Sequence, residues 1–497
     1  MPAVGSDIPS AGRIRALCGD FILRQRRCSW GIDFAVTCWQ ESVVERCPRR
    51  PYPLFSSPIA VLDGGVATKR LGSRVRNTPG DGRSAKLLPV SNAPSTRPLR
   101  ILVVGAGAGG VSIARGLLRD GHDVTVFEQR PAPEAGGGAV TIWSNGATVL
   151  EQLGVDMDGA GQQLSTVRVL TSTGRPIATL NVTAMMERLG APVRMVPRRV
   201  LLERLLEGFP TARIRCNSRA VAVVDTPGGV RVEFEDGSSA EGDLLIGADG
   251  LHSIVREIVG AQHAESTGWC SWQGLVTLPN VPDKRVALMI VGEHGNLGLW
   301  PAGGSDVQWW FDLPWSSDFV RPERPIDVIR SHFSGWSDLV DRVLATLTDD
   351  DLAHSPYPHF RHPIPGPGHG ALTLLGDAAH TMPPTLAQGT NQALLDTMVL
   401  CKALSDFRKG TDNSDGDLSN ALRWYEKTRR RKVKAVSRVA SLQVSHGESV
   451  LRPAAMISDR FMTWALTMFL SSVSHRRISA EISRDLAAAI TPSRSRR

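Results

Sequence analysis

At 497 residues the chain is long enough for two domains, or one composite with a sizeable core, and its 42% hydrophobic and 21% charged residues are those of a soluble globular protein. The net charge of +8 would suit a polyanionic partner, but residues 1–97 hold 15 Lys/Arg against 7 Asp/Glu, and the remaining 400 residues carry 42 of each sign. A neutral body excludes nucleic acid as its working partner, and seven cysteines without a C-x-x-C pair exclude a zinc ribbon or a thioredoxin-like centre, so no metal is expected.

Residues 1–98 are rich in Arg, Pro, Ser and Gly and show no sustained period. They read as a basic low-order extension or a misassigned start. An odd number of cysteines with no secretory signal suits a reducing compartment, so a cytoplasmic location is expected.

From Leu99 the sequence LRILVVGAGAGGVSIARGLLRDGHDVTVFEQR predicts strand, glycine turn, helix and strand. ILVV is a short apolar run of the kind buried on both faces, and Ile113, Leu117 and Leu118 recur at helical spacing. The turn holds Gly105, Gly107, Ala108, Gly109 and Gly110. Gly105 allows the tight turn, Gly107 lets a pyrophosphate approach the backbone, and Gly110 lets helix and strand pack closely. The helix N-terminus then offers free N–H groups to phosphate. Glu128, at the end of the second strand, stands where an acid grips a ribose hydroxyl pair. A dinucleotide site follows, with FAD and NAD equally served.

Next, VRVEF alternates, turns at Asp236-Gly237, and leads to DLLIGADG, a buried strand ending at Asp249. An acid there lies at the carboxyl edge of a sheet, though capping the next helix is its commoner role. Residues 268–355 change character, with seven tryptophans on alternating strands, and predict an antiparallel sheet with one open face. Trp272, Trp300, Trp309 and Phe311 are its candidate pocket residues. ALTLL then runs into GDAAHTMPPTLAQGTNQALLD (376–396): a strand delivers Gly376-Asp377, a Pro383-Pro384 loop follows, and a fresh helix begins at Gly389, Thr390 and Asn391. That cradle suits a polyol chain at Asp377 and a flat, negatively charged ring against the helix N-terminus, with Pro384 beside the substrate. His380 is a tempting base that more naturally holds the loop. EKTRRRKVKAV (426–436) reads as a solvated helix face, and FMTWALTMFLSSV (461–473), short of the ~20 residues a bilayer span needs, as a buried or partner-facing helix.

Three fingerprints in this order (Gly105–Gly110 with Glu128, GADG at 247–250, and the 376–396 stretch) resemble the single-component FAD-dependent aromatic hydroxylases of the p-hydroxybenzoate hydroxylase fold group. GWCSWQGLV (268–276) is similar to the salicylate, urate and zeaxanthin-type branch. The resemblance places Arg198, in VPRRVLLERLL, near the FAD phosphates and Arg130 near the adenosine. It implies an α/β fold: a Rossmann-like FAD-binding domain with an inserted, mainly antiparallel β-sheet substrate domain and C-terminal helices. The expected segments are 99–267 for the first FAD-binding part (with some substrate-sheet strands near 163–195), 268–355 for the substrate domain, 356–445 for the second FAD-binding part, and 446–497 for a helical tail. The implied activity uses NADPH or NADH and O2 to hydroxylate an aromatic or electron-rich small molecule through a flavin C4a-hydroperoxide, with no protein residue assigned to the chemical step. A reductase or dehydrogenase of the same fold acting on an isoprenoid-like substrate is the alternative. No transmembrane segment is expected, and a homodimer stays open.

Overall fold

The computed structural model describes residues 97–226, 228–410, 417–451 and 455–490. The extension read at residues 1–98 lies outside the described residues, apart from Arg97 and Pro98. Four apolar runs build the first sheet: Arg100–Val104, Asp123–Phe127, Leu244–Gly247 and Leu372–Leu374. Each is almost wholly buried, as strands covered on both faces must be. They pair in parallel, in the order Leu372–Leu374, Leu244–Gly247, Arg100–Val104, Asp123–Phe127, with Ile214–Arg215 at the far edge. A parallel pair needs a crossover. The helix Ala108–Arg119 supplies the first one and buries Val111, Ile113, Ala114 and Leu117. The helix Gly389–Lys409 packs on it in the same core.

The second sheet runs in the order Tyr357–Arg361, Glu265–Thr277, Asp306–Pro314, Asn296–Gly303, Val286–Val291, Thr166–Thr171, Pro176–Asn181. Every pair is antiparallel except Thr166–Thr171 with Val286–Val291. The sheet therefore draws strands from both sides of residues 268–355. Side chains alternate between its two faces. One face, with Cys270, Trp272, Leu297, Leu299, Trp309 and Phe311, is sealed by the helices Pro325–Phe333 and Asp338–Thr346. The other carries Ala287, Trp300 and Ala302, with Leu275, Met289 and Trp310 partly buried.

This parity corrects three expected pocket residues. Trp272, Trp309 and Phe311 are core residues of the helix-covered face, at most 2% exposed, and Trp300 alone of the four lies on the other side. Trp309→Phe should therefore cost about 1–2 kcal/mol in chemical denaturation by partial loss of core volume. It should leave unchanged the set of small molecules that perturb a bound flavin.

The run 461–473 forms most of the helix Asp459–Val473. Its Met462, Leu466, Phe469 and Leu470 pack on the second face of the sheet. The same helix covers the edge strand Pro176–Asn181: Thr179 N donates to Asp459 Oδ1 at 2.8 Å and Asn181 N to Thr463 Oγ1 at 3.0 Å. Free edge amides are thereby satisfied by side chains. Among the described residues no helix is long and apolar enough to cross a membrane.

Candidate functional site

Parallel pairing puts the carboxyl ends of the first sheet's strands along one edge. Gly105 follows Arg100–Val104, Glu128 follows Asp123–Phe127, Asp249 follows Leu244–Gly247, and Gly376-Asp377 follow Leu372–Leu374. Glu128 and Asp377 are three strand spacings apart, roughly 14 Å at about 4.8 Å per spacing. One elongated ligand can lie against both.

At the glycine turn, Gly105 has φ +101, and a Cβ there would stand 2.5 Å from the Ala248 carbonyl oxygen. A Cβ on Gly110 would strike the Gly105 carbonyl. At Gly107 a Cβ would meet nothing within 4 Å, so this is the turn's open side. Gly107 begins the helix without a side-chain cap, leaving the Ala108, Gly109 and Gly110 amides without intrahelical partners. Glu128 is 8% exposed; its Oε2 accepts from Ala106 N at 2.9 Å and its Oε1 from Arg130 N at 3.0 Å. The carboxylate thus fastens the turn and keeps lone pairs for hydroxyl donors. The Arg130 side chain is exposed and donates to the Glu134 carbonyl.

Arg198 opens the helix Arg198–Leu206, its N donating to Gly138 O at 3.1 Å and its side chain lying 3.8 Å from the Cβ position of Gly137. It forms no ion pair among the described residues. Burial lowers its pKa, while the charge of Asp377 and then Tyr357 acts in the opposite direction. Asp377 is exposed within an otherwise buried stretch, and its carboxylate has no partner among the described residues. A Cβ on Gly389 would lie 3.9 Å from Asp377 Oδ1, so the start of the helix Gly389–Lys409 adjoins it. That helix has no side-chain cap, so Gly389 and Thr390 present free amides. Pro384 is exposed, and the loop between them turns at Ala387 with φ +48.

Two expected cofactor residues have side chains committed elsewhere. Asp249 accepts from Ser253 Oγ at 2.6 Å and from Val255 N at 3.4 Å, and burial raises its pKa. It braces the turn ahead of the helix Ile254–Ile258. Asn391, fully buried, accepts from Trp143 N at 2.9 Å and donates to the carbonyls of Thr141 (2.8 Å) and Ala387 (2.9 Å). It bolts the helix start to the strand Ala139–Ile142. On that strand's other flank the Gln308 side chain of the large sheet accepts from Ala139 N. The helix N-terminus, this strand and the second face of the sheet therefore bound one space.

His380 holds the loop. Its Nε2 lies 2.6 Å from Asp396 Oδ2, which also accepts from Gly376 N at 2.9 Å, and Asp396 Oδ1 accepts from Arg429 Nε at 2.5 Å. All three side chains are at most 3% exposed. Burial acts to raise the Asp396 pKa, but His380 and Arg429 bring it down to about 2. Arg429 comes from the run read as a solvated face. The spacing of the buried Ala421, Leu422, Tyr425, Val433 and Val436 puts position 429 on the inward stripe, and that signal could have found it.

A cation without a partner, a free carboxylate, two uncapped helix N-termini and one open glycine fit an elongated, doubly phosphorylated ligand with a polyol linker, as FAD is. A family model described as FAD binding domain matches residues 99–440. The chain is 31% identical over 367 residues to 3-amino-4-hydroxybenzoate 2-monooxygenase PtmB3 of Streptomyces platensis, covering 70% of this chain and 88% of that protein. It is 29% identical over 366 residues to the FAD-dependent urate hydroxylase of Klebsiella oxytoca, covering 71% and 92%. The crystal structure of Klebsiella pneumoniae HpxO complexed with FAD and uric acid superposes with a TM-score of 0.67 at 26% identity, covering 75% of this chain and 97% of that one.

Proposed function

The chain belongs to the FAD binding domain family of flavin-dependent monooxygenases, and from that premise we propose that it uses NADPH or NADH and dioxygen to hydroxylate an aromatic or other electron-rich small molecule. Bound FAD supplies the redox chemistry, accepting reducing equivalents from the nicotinamide and activating oxygen. The chain's own residues bind and orient. Glu128 takes the adenosine ribose, with Arg130 beside it, and the amides of Gly107 to Gly110 take the pyrophosphate. Arg198 neutralises the phosphate charge, and Asp377 accepts from the polyol linker. The uncapped amides of Gly389 and Thr390 stabilise negative charge on the ring system. Asp249, Gly376, His380 and Asn391 hold these groups in place through the bonds described above.

The apolar wall of Trp300, Trp310, Leu275 and Met289, backed by the helix Asp459–Val473, excludes water from the reacting centre. Trp300 and Pro384 remain pocket candidates. The observation that carries this reading is the convergence of Glu128, the glycine turn and Asp377 on one sheet edge that opens towards this wall. The test is NADPH and NADH oxidation under 18O2 with product mass spectrometry, across phenolic, purine and polycyclic aromatic panels. One labelled oxygen atom per product molecule is expected. A product altered without added oxygen would instead indicate the reductase or dehydrogenase chemistry.

A further inference from the structure

The second face of the large sheet carries a polar cluster that the cofactor site does not use. Asp312 is paired with Ser271 on one neighbouring strand and with Asn296 on the other, so the three side chains share a face. His359 reaches the same spot from the strand Tyr357–Arg361, its Nε2 lying 2.7 Å from Ser271 Oγ. Ser271 Oγ donates to Asp312 Oδ1. All four residues are at most 7% exposed. Strand alternation puts Gln273, Gly298, Trp300, Gln308 and Trp310 on this same face, which is the wall of the space bounded by Asn391 and Ala139.

Hydrogen-bond directions follow from the number of protons. Ser271 gives its single proton to Asp312, so its oxygen accepts from His359 Nε2–H. His359 is then neutral, with Nδ1 buried and unpartnered. Burial alone holds the His359 pKa down to about 4, and burial lifts that of Asp312 to about 7 against the Ser271 hydrogen bond. Asp312 has no ion pair among the described residues. Of the titratable groups on the adjoining strands, His359 and Tyr357 lie on its own face, the Cys270 thiol lies on the helix-covered face, and Glu265 and Arg361 pair with each other at the exposed strand ends. Acceptor capacity is left over: the Ser271 hydrogen bond uses only Asp312 Oδ1, no described hydrogen bond reaches Oδ2, and Asn296 Oδ1 is buried without a donor. Unfilled buried acceptors are costly, and a ligand that brings a donor removes the cost.

We propose that Asp312, with Asn296 beside it, receives an O–H or ring N–H donor of the aromatic substrate, while Ser271 and His359 act as positioning residues for the carboxylate. This rests on the monooxygenase reading and deepens it by naming the substrate class. A ring whose donor faces a carboxylate is more electron-rich. If the proton passes over, the substrate O–H or N–H bond breaks, its electron pair stays on the substrate, and a new O–H bond forms at Asp312 Oδ2. No oxidant or reductant is needed for that step.

The test uses FAD-loaded protein with 2-naphthol and 2-methoxynaphthalene, which differ only in the donor, and follows binding by the change in flavin absorbance. At pH 8 the wild type should bind 2-naphthol about tenfold or more tightly than the ether, as a charge-assisted hydrogen bond gives. That preference should fall as pH drops through about 7, where Asp312 takes up a proton. Asp312→Asn should lose about tenfold of the preference and show no such pH dependence, with affinity for the ether unchanged. A wild type without the preference, a preference constant from pH 8 to 5.5, or its full retention in Asp312→Asn would overturn the proposal. Failure of the monooxygenase reading shows separately, as absent FAD or unlabelled product.

Discussion

Arg429→Met should lower the stability of the protein by about 3–5 kcal/mol, because it leaves a buried carboxylate without its cation. Asp396 is fully buried, and its two oxygens are shared among His380, Arg429 and the Gly376 amide. Arg429 also donates to Gln392 through its Nη2, at 3.0 Å to the carbonyl and 2.8 Å to Oε1. The pH dependence distinguishes this cause from simple loss of packing. In the wild type Asp396 sits at about 2, below its ordinary 3.8. Its contribution is therefore complete above about pH 4 and is lost as pH falls towards 2. Without Arg429, burial acts with less opposition and the Asp396 pKa moves up. The variant's deficit should then shrink between pH 8 and pH 5, as Asp396 takes up a proton. Urea denaturation at both pH values measures it, and a deficit independent of pH would show that charge is not the cause. Because Asp396 also holds Gly376, the variant should release flavin more readily than the wild type.

Arg198→Met should raise the dissociation constant for FAD by roughly 30-fold or more, the usual cost of about 2–5 kcal/mol for deleting one partner of a desolvated charge pair. The effect on the protein without flavin should have the opposite sign. There the guanidinium has no anionic partner among the described residues and burial disfavours its charge, so its removal should leave the apoprotein as stable or more stable. Flavin fluorescence quenching gives the affinity, and thermal unfolding with and without FAD gives the two stabilities. Equal destabilisation in both states would mean that Arg198 serves packing and not phosphate.

The edge that holds these residues was legible because parallel strands buried on both faces leave uniform apolar runs. ILVV, LLIG and ALTLL mark their own carboxyl ends, and the residues that follow them line the candidate site. The second sheet face was harder to read. Trp309 and Trp310 are adjacent and equally bulky, so no polar–apolar alternation shows which of them faces the helices Pro325–Phe333 and Asp338–Thr346. Asp312 and Ser271 are forty-one positions apart and meet only through strand register. Arg429 was hidden by its neighbours, since a run of cations looks solvated until its helical phase is matched to Tyr425 and Val433. Asp249 and Asn391 hold the expected positions, yet their side chains are used up by Ser253 and by the strand Ala139–Ile142.

The most direct measurement is the identity and amount of flavin released when the purified protein is denatured. One FAD per chain is the predicted result, because Glu128 at one end of the edge keeps lone pairs for ribose hydroxyls beyond its bonds to the Ala106 and Arg130 amides, and Asp377 at the other end has a free carboxylate for the polyol linker. Release of FMN alone, or of no flavin from protein supplied with FAD, would contradict a single cofactor stretched from Glu128 to Asp377.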